Sequence, residues 1–297
     1  MQQTNSYPPA WYSKLLIQFF RIFVKRLLSP RWFRDSLPDE SQRSKKKGEL
    51  SLEIVSHCWQ YANMLTYQLS SLVNYPPQKL KVRMTVFYSE DDHATKETLE
   101  FFSSHQVSNV EWNWVPLPKE KLFRRGIGRN MAARSTKADW VWYTDCDIIF
   151  HKHCLDSLAL ELQGQNGKLY YPRQERTTPM LASDDPMLRE GRQPQIVDIP
   201  AQEFSLHSRD KAKGAFQIVH GDVARAIGYC DGMRAFQTQV THWSKTYEDT
   251  AFRWLISSKG IPIDVESVYQ IRHIVKGRYR KGTFFSRLRS KIRRMQE

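Results

Sequence analysis

The stretch Ala138-Asp139-Trp140-Val141-Trp142-Tyr143-Thr144-Asp145-Cys146-Asp147-Ile148-Ile149-Phe150 decides how the rest of the chain is read. Val141, Trp142, Tyr143 and Thr144 are strand formers, so two carboxylates one residue apart arrive where a buried strand should run out into a loop. Ionised aspartates this close repel and resist desolvation, and a hard divalent cation with oxygen ligands removes both penalties. Asp145 and Asp147 are therefore candidate metal ligands; a turn begun by Asp145 and a helix capped by Asp147 would use the same residues. Cys146, between them, is expected to point back into the core, since alternate strand residues face opposite ways.

Upstream, strands alternate with helices. Leu50–Ser56 reads as a strand ending in Ser56-His57-Cys58-Trp59, and a helix from about Tyr61 to Val73 is stopped by Asn74-Tyr75-Pro76-Pro77. A second strand, Val82–Tyr88, ends at Ser89-Glu90-Asp91-Asp92 before a helix over Thr95–Ser104; a third is Val110–Val115, followed by a helix carrying Arg129. This alternation predicts an α/β domain with a doubly wound, mostly parallel sheet, whose ligands bind beyond the carboxyl ends of the strands. His57, Asp91, Asp92, Asp145 and Asp147 should then surround one crevice. Downstream, Cys154–Leu162 and Asp222–Ile227 read as helices and Leu169–Tyr171 as a strand, and Lys213-Gly214-Ala215-Phe216 as a turn into another strand. Five prolines from Pro172 to Pro200 leave 172–212 without a long element, an interval suited to substrate-shaping loops. Gly228–Trp243 reads as a loop, Tyr247–Ser258 as a helix, and a last strand runs to about Tyr269, with His273 just past it.

Gly128-Arg129-Asn130-Met131-Ala132-Ala133 before the Asp-x-Asp strand, and Tyr247-Glu248-Asp249-Thr250-Ala251-Phe252-Arg253 well after it, complete an ordered set. With it, roughly residues 50 to 275 resemble the metal-dependent glycosyltransferases of the GT-A fold, especially the family 2-like group, with a galactosyltransferase-like Glu-Asp helix. The resemblance implies a nucleotide-diphosphate-sugar donor, a Mn²⁺ or Mg²⁺ cofactor and inverting transfer of a hexosyl-type group to a glycan or lipid-linked acceptor. It implies Asp249 as the catalytic base, with Glu248 hydrogen-bonded to acceptor hydroxyls. Asp145, Asp147 and His273 are the implied metal ligands, and Ser56, His57, Asp92, Arg129, Asp145 and Gly214 the implied donor contacts. The segment at Gly214 departs from the family pattern, because Ala215 stands where a second glycine is often found.

Charge divides the chain into three. Residues 1–50 carry +6 and residues 276–297 carry +8, while the body between them is neutral, out of a total of +14. A nucleic-acid enzyme would line its working groove with the excess, so no nucleic-acid partner is expected. Trp11–Leu28 reads as an aromatic-rich amphipathic helix with Lys14, Gln18, Arg21 and Lys25 on one narrow arc. It suits either the interface of an anionic membrane or packing against the protein's own body. The organisation expected is 1–49 as amphipathic helix and basic linker, 50–275 as the transferase domain and 276–297 as a basic amphipathic tail. No apolar run reaches the ~20 residues that span a bilayer, and four cysteines without zinc spacing read as reduced thiols. A cytoplasmic protein, peripheral at the cytoplasmic face of a membrane, is the expectation. Two other readings compete: a non-catalytic glycan- or membrane-binding protein on the same fold, and a nucleotidyltransferase. The second would need a Gly-rich phosphate loop after the first strand, and Ser56-His57-Cys58-Trp59 supplies none.

Overall fold

The computed structural model describes residues 10–182, 184–243 and 246–274. The expected basic tail over 276–297 lies outside them. Strands β1 (Leu50–His57), β2 (Leu80–Tyr88), β3 (Val110–Pro116) and β4 (Trp140–Tyr143) form a parallel block in the order β4-β1-β2-β3. Parallel neighbours need long crossovers, which helices Ala62–Asn74, His93–Ser103 and Arg125–Ser135 provide. The first of these stops where Pro76 and Pro77 forbid continuation. The second begins two residues earlier than its apolar pattern suggests, because the Asp92 side chain accepts the Thr95 N–H as an N-cap.

Beyond β4 come β9 (Gln217–His220), β6 (Leu169–Pro172) and β10 (Ile261–Ile263), completing a seven-stranded sheet. Only β9 is antiparallel, to β4 and β6 on either side. A mixed α/β architecture around a mostly parallel central sheet is what the GT-A expectation requires. Ile54, Met84, Val86, Trp142 and Ile218 are 0% exposed at its centre, so the strands are covered on both faces.

A second sheet, β5-β11-β7-β8, is not legible in the sequence; it consists of β5 (Ile148–Phe150), β7 (Gln174–Thr177), β8 (Ser205–Ser208) and β11 (Val268–Gln270). This sheet reaches back to the aspartates. β5 starts directly after Asp147 and pairs antiparallel with β11, Ile148 against Gln270, and the Ile271 N–H donates to the Asp147 carbonyl at 3.0 Å. That pairing returns the distant His273 to the neighbourhood of the two carboxylates. The 172–212 interval also holds the short helix Pro186–Glu190, and the supposed loop before Trp243 holds the helical turn Arg234–Gln237.

At the amino end, helix Ala10–Phe19 continues through a π-helical turn, Phe20–Val24, into Lys25–Leu27. Ile17, Phe20 and Val24 are buried against the body, as the packing reading expects, whereas six larger apolar side chains of the helix are about half exposed or more. All four cysteines are free and buried, Cys146 among them.

Because Ile54 is enclosed at the middle of β1, Ile54→Ala should lower the unfolding free energy by about 2–5 kcal/mol. A urea titration with an unchanged slope and a lower midpoint is the expected readout.

Candidate active site

The expected site residues gather at the carboxyl ends of β1 and β4, beside the first turn of helix Arg125–Ser135. A helix amino terminus bears partial positive charge and disfavours cations, yet this one follows Arg124 and opens with Arg125 and then Arg129. Arg124 and Arg129 are 1 and 2% exposed. Such a cluster folds only where anions compensate it, and Asp145 does so: its Oδ1 accepts from Arg125 Nη1 in a short contact and lies 3.5 Å from Arg129 Nη2. Burial opposes the Arg125 charge, but Asp145, together with Glu248, outweighs burial and the neighbouring Arg129, leaving its pKa raised. Glu248 Oε1 accepts the Gly126 N–H at 3.4 Å. One carboxylate of each acidic pair, Asp145 and Glu248, thus faces the same helix turn.

An aromatic wedge holds the two sides together. Tyr143, two residues before Asp145, meets Tyr229 at 4.7 Å between ring centroids; Tyr229 stacks on Phe252 at 4.4 Å, on the helix Glu248–Leu255 that carries the second acidic pair. Arg129 lies over this wedge and donates to the Tyr229 hydroxyl at 2.9 Å. Asp249 points to the other side of its helix turn, where Oδ2 accepts from the Gly214 N–H and from Arg253 Nη2, both at 3.3 Å. Gly214 has φ +52°, a left-handed conformation that residues with a Cβ rarely adopt. Trp243 spreads over the Arg125 guanidinium at 4.7 Å.

On the Asp147 side the organising residue is Tyr61, which ends the β1 loop. Its hydroxyl is in short contact with His273 Nε2, and its pKa is raised well above the ordinary phenol value by burial and then by the charges of Asp147, Cys146 and Asp145. The His273 ring touches this phenol and the charges of Asp145 and Asp147 act on it. Among the described residues no three metal-capable side chains form a preassembled cage. Two carboxylates and an imidazole are donors of the kind a divalent ion takes, but they are not gathered here as a ligand set.

Other expected donor contacts are placed differently. Ser56 is fully buried and donates to Gln68 Oε1 at 2.7 Å; Gln68 Nε2 in turn donates to the Asp145 and Ile148 carbonyls, each at 2.9 Å. Ser56 thus braces the aspartate loop from beneath instead of lining the crevice. Asp92 Oδ2 accepts the Gln60 N–H and the Thr95 hydroxyl, so its carboxylate ties the β1 loop to a helix cap. Asp91, on the same strand end, is exposed and paired with Lys119. His57 does face the arginines. Its ring stacks on Phe87 at 4.9 Å, neither ring nitrogen has a hydrogen-bond partner among the described residues, and a Cβ on Gly128 would come within 2.2 Å of Nε2. Sequence reasoning missed Arg124, Arg125 and Tyr61. The arginine pair ahead of a glycine at a helix start was a readable signal, being unfavourable without a bound or neighbouring anion; Tyr61 left none.

No protein-family model matches the sequence, and no curated protein sequence matches it. Among solved structures, the chain is similar to S. aureus TarS 1–349 at 11% identity and a TM-score of 0.44, and to the same protein in complex with UDP at 11% and 0.45. Each alignment covers 75% of this chain and 60% of the other. A longer S. aureus TarS structure aligns at 10% identity with a TM-score of 0.42, over 75% of this chain and 37% of that one. The chain thus spans 60% of the first two and little more than a third of the third.

Burial, followed by the Arg129 and Arg125 charges, holds the His57 pKa well below its ordinary 6.5, so the folded chain carries it neutral. The unfolded chain binds the proton that the fold refuses. Stability from this group is therefore complete above pH 6.5 and is lost as the pH falls below it. His151 and His220, also lowered by burial, share the slope. In urea-unfolding curves across this range, His57→Phe should give a shallower pH dependence than the native chain.

Proposed function

We propose that this chain is a glycosyltransferase that moves a sugar, of hexosyl type, from a nucleotide-diphosphate donor to a hydroxyl of a glycan or lipid-linked acceptor, with inversion. What supports the reading above all is that Arg125, held by Asp145, also lies beside the Gly126 turn that Glu248 accepts from, so a cationic cradle lies between one carboxylate of each acidic pair. A leaving diphosphate needs fixed positive charge, and an incoming alcohol needs a base; Arg125 and Arg129 would supply the first and the helix Glu248–Leu255 the second.

In this reading Asp249 takes the acceptor's hydroxyl proton, and the freed oxygen pair attacks the anomeric carbon from the face opposite the diphosphate. The anomeric carbon–oxygen bond breaks and its electron pair leaves on the diphosphate, whose charge Arg125 and Arg129 stabilise. The Asp249 carboxylate is held in place at the first turn of its helix by the Gly214 amide and the Arg253 guanidinium. Glu248 orients acceptor hydroxyls and anchors the Gly126 turn. His57 and the Gly214 turn contact the donor. Asp145, Asp147 and His273 would hold Mn²⁺ or Mg²⁺, which when bound supplies further charge neutralisation at the pyrophosphate.

Two variants separate the roles. Nucleoside diphosphates and nucleotide sugars with Mn²⁺ should raise the melting temperature of the native chain, and Asp147→Ala should lose the metal-dependent part of that rise. Asp249→Asn should keep the rise while transfer falls by about 10²–10⁴-fold. Equal transfer by native chain and Asp249→Asn removes the base assignment, and no thermal response to any nucleotide removes the donor.

A further inference from the structure

The amino-terminal helix has more apolar surface than the body covers. Ile17, Phe20 and Val24 form the stripe that packs inward, Phe20 edge-on to Trp254 at 5.2 Å and to Phe236 at 6.0 Å. On another face Trp11, Leu15, Phe19, Ile22, Phe23 and Leu27 are each between 48 and 75% exposed. Trp11, Leu15, Phe19 and Ile22 fall within an arc of roughly 80° on a helical wheel. A contiguous aromatic face of this kind marks a binding surface. Its flank is cationic, with Lys14, Arg21 and Lys25 all exposed, and the segment from Ala10 to Arg34 contains six basic residues and no acidic one.

We infer that this helix docks the protein onto an anionic phospholipid bilayer, lying in the plane of the interface with its exposed aromatic face among the acyl chains. Charge selects the occupant. A second copy would bring two flanks of like charge together, and the chain's own basic carboxyl end, at +8, is repelled by the same flank. A negatively charged headgroup layer over a hydrocarbon interior complements both the flank and the face. Trp32, 73% exposed just beyond the helix, adds a side chain suited to the headgroup level. No helix among the described residues is long and apolar enough to cross a membrane, so the mode is attachment rather than spanning.

The attachment is braced against the candidate site. The Arg21 guanidinium lies 3.8 Å over the Tyr247 ring, Phe33 meets Trp254 at 5.5 Å, and Arg34 Nε donates to the Leu255 carbonyl at 2.6 Å. All three partners belong to or adjoin the helix bearing Glu248 and Asp249. Docking would therefore hold that helix at a set orientation to the lipid surface. This consequence for acceptor delivery rests on the transferase reading; the docking itself does not.

The test is co-sedimentation of the full chain with vesicles of phosphatidylcholine alone or mixed with phosphatidylglycerol, across a salt series. The native chain should pellet with the mixed vesicles, less so as salt rises, and hardly at all with phosphatidylcholine. Leu15→Glu combined with Phe19→Glu, both at exposed positions, should lower the partition coefficient at least ~10-fold while leaving the melting temperature and its nucleotide response unchanged. Three results would overturn the inference: no pelleting of the native chain, undiminished pelleting of the double variant, or concentration-dependent dimers that the double variant abolishes. None of these bears on nucleotide binding, so a failed membrane arm leaves the transferase reading standing, and the reverse holds too.

Discussion

Buried charge at the carboxyl edge of the sheet is the constraint around which the crevice is arranged. Arg124 and Arg129 are enclosed at the start of a helix whose own dipole opposes them, a placement that costs heavily unless acidic groups lie within a few ångströms. Asp145 meets that need for Arg129 and its neighbour Arg125, while Arg124 donates through Nε to the Thr238 carbonyl and Glu248 accepts the Gly126 N–H beside them. Neither anion is local to the arginine helix, so the ionic network forms only when the sheet and helix Glu248–Leu255 have docked. A cationic cradle assembled this way is already oriented, which is the property that electrostatic catalysis requires.

Packing secures what charge alone would leave loose. Tyr143, Tyr229 and Phe252 form a continuous aromatic contact from β4 to the second acidic helix, with Arg129 lying over Tyr229 and Tyr143. Beneath the aspartates, the chain of hydrogen bonds from Ser56 through Gln68 fixes the carbonyls of Asp145 and Ile148. On the far side, the β5–β11 pairing sets His273 against Tyr61. Three kinds of force, ionic, aromatic and hydrogen-bonding, thus hold the segments around the aspartate turn. The amino-terminal helix then supports the outer side of the second acidic helix through Phe20 and Arg21.

How much of this is legible in the sequence depends on the range of the interactions. The four-strand parallel block and its crossover helices can be read because β1, β2 and β3 are seven to nine residues long and β4 is wholly apolar or aromatic, patterns set by neighbours in the chain. The second sheet cannot: its strands are three or four residues long, β8 is exposed throughout, and prolines interrupt the interval that contains two of them. Asp92 looks like a ligand because it ends a strand, while the tertiary contact from Gln60 engages its carboxylate. Ser56 misleads for a related reason, since alternation along β1 says which face it takes and not that Gln68 waits beneath. The amino-terminal helix is recognisably amphipathic, but the division between its packed stripe and its open face depends on where Phe236 and Trp254 sit.

By itself, the sequence determined the alternating α/β order, the Asp-x-Asp turn at a strand's end, a Glu-Asp pair at a helix start and the separation of basic ends from a neutral body. Those are properties of adjacent residues: propensity, periodicity and local charge. Only the tertiary structure decided that Arg125 would join Asp145 and feel Glu248, that Tyr61 would stand between Asp147 and His273, and that one side of the first helix would remain uncovered. Each of these is a meeting of segments far apart in the chain, and the Coulombic and contact forces that select it act only at distances the folded core creates.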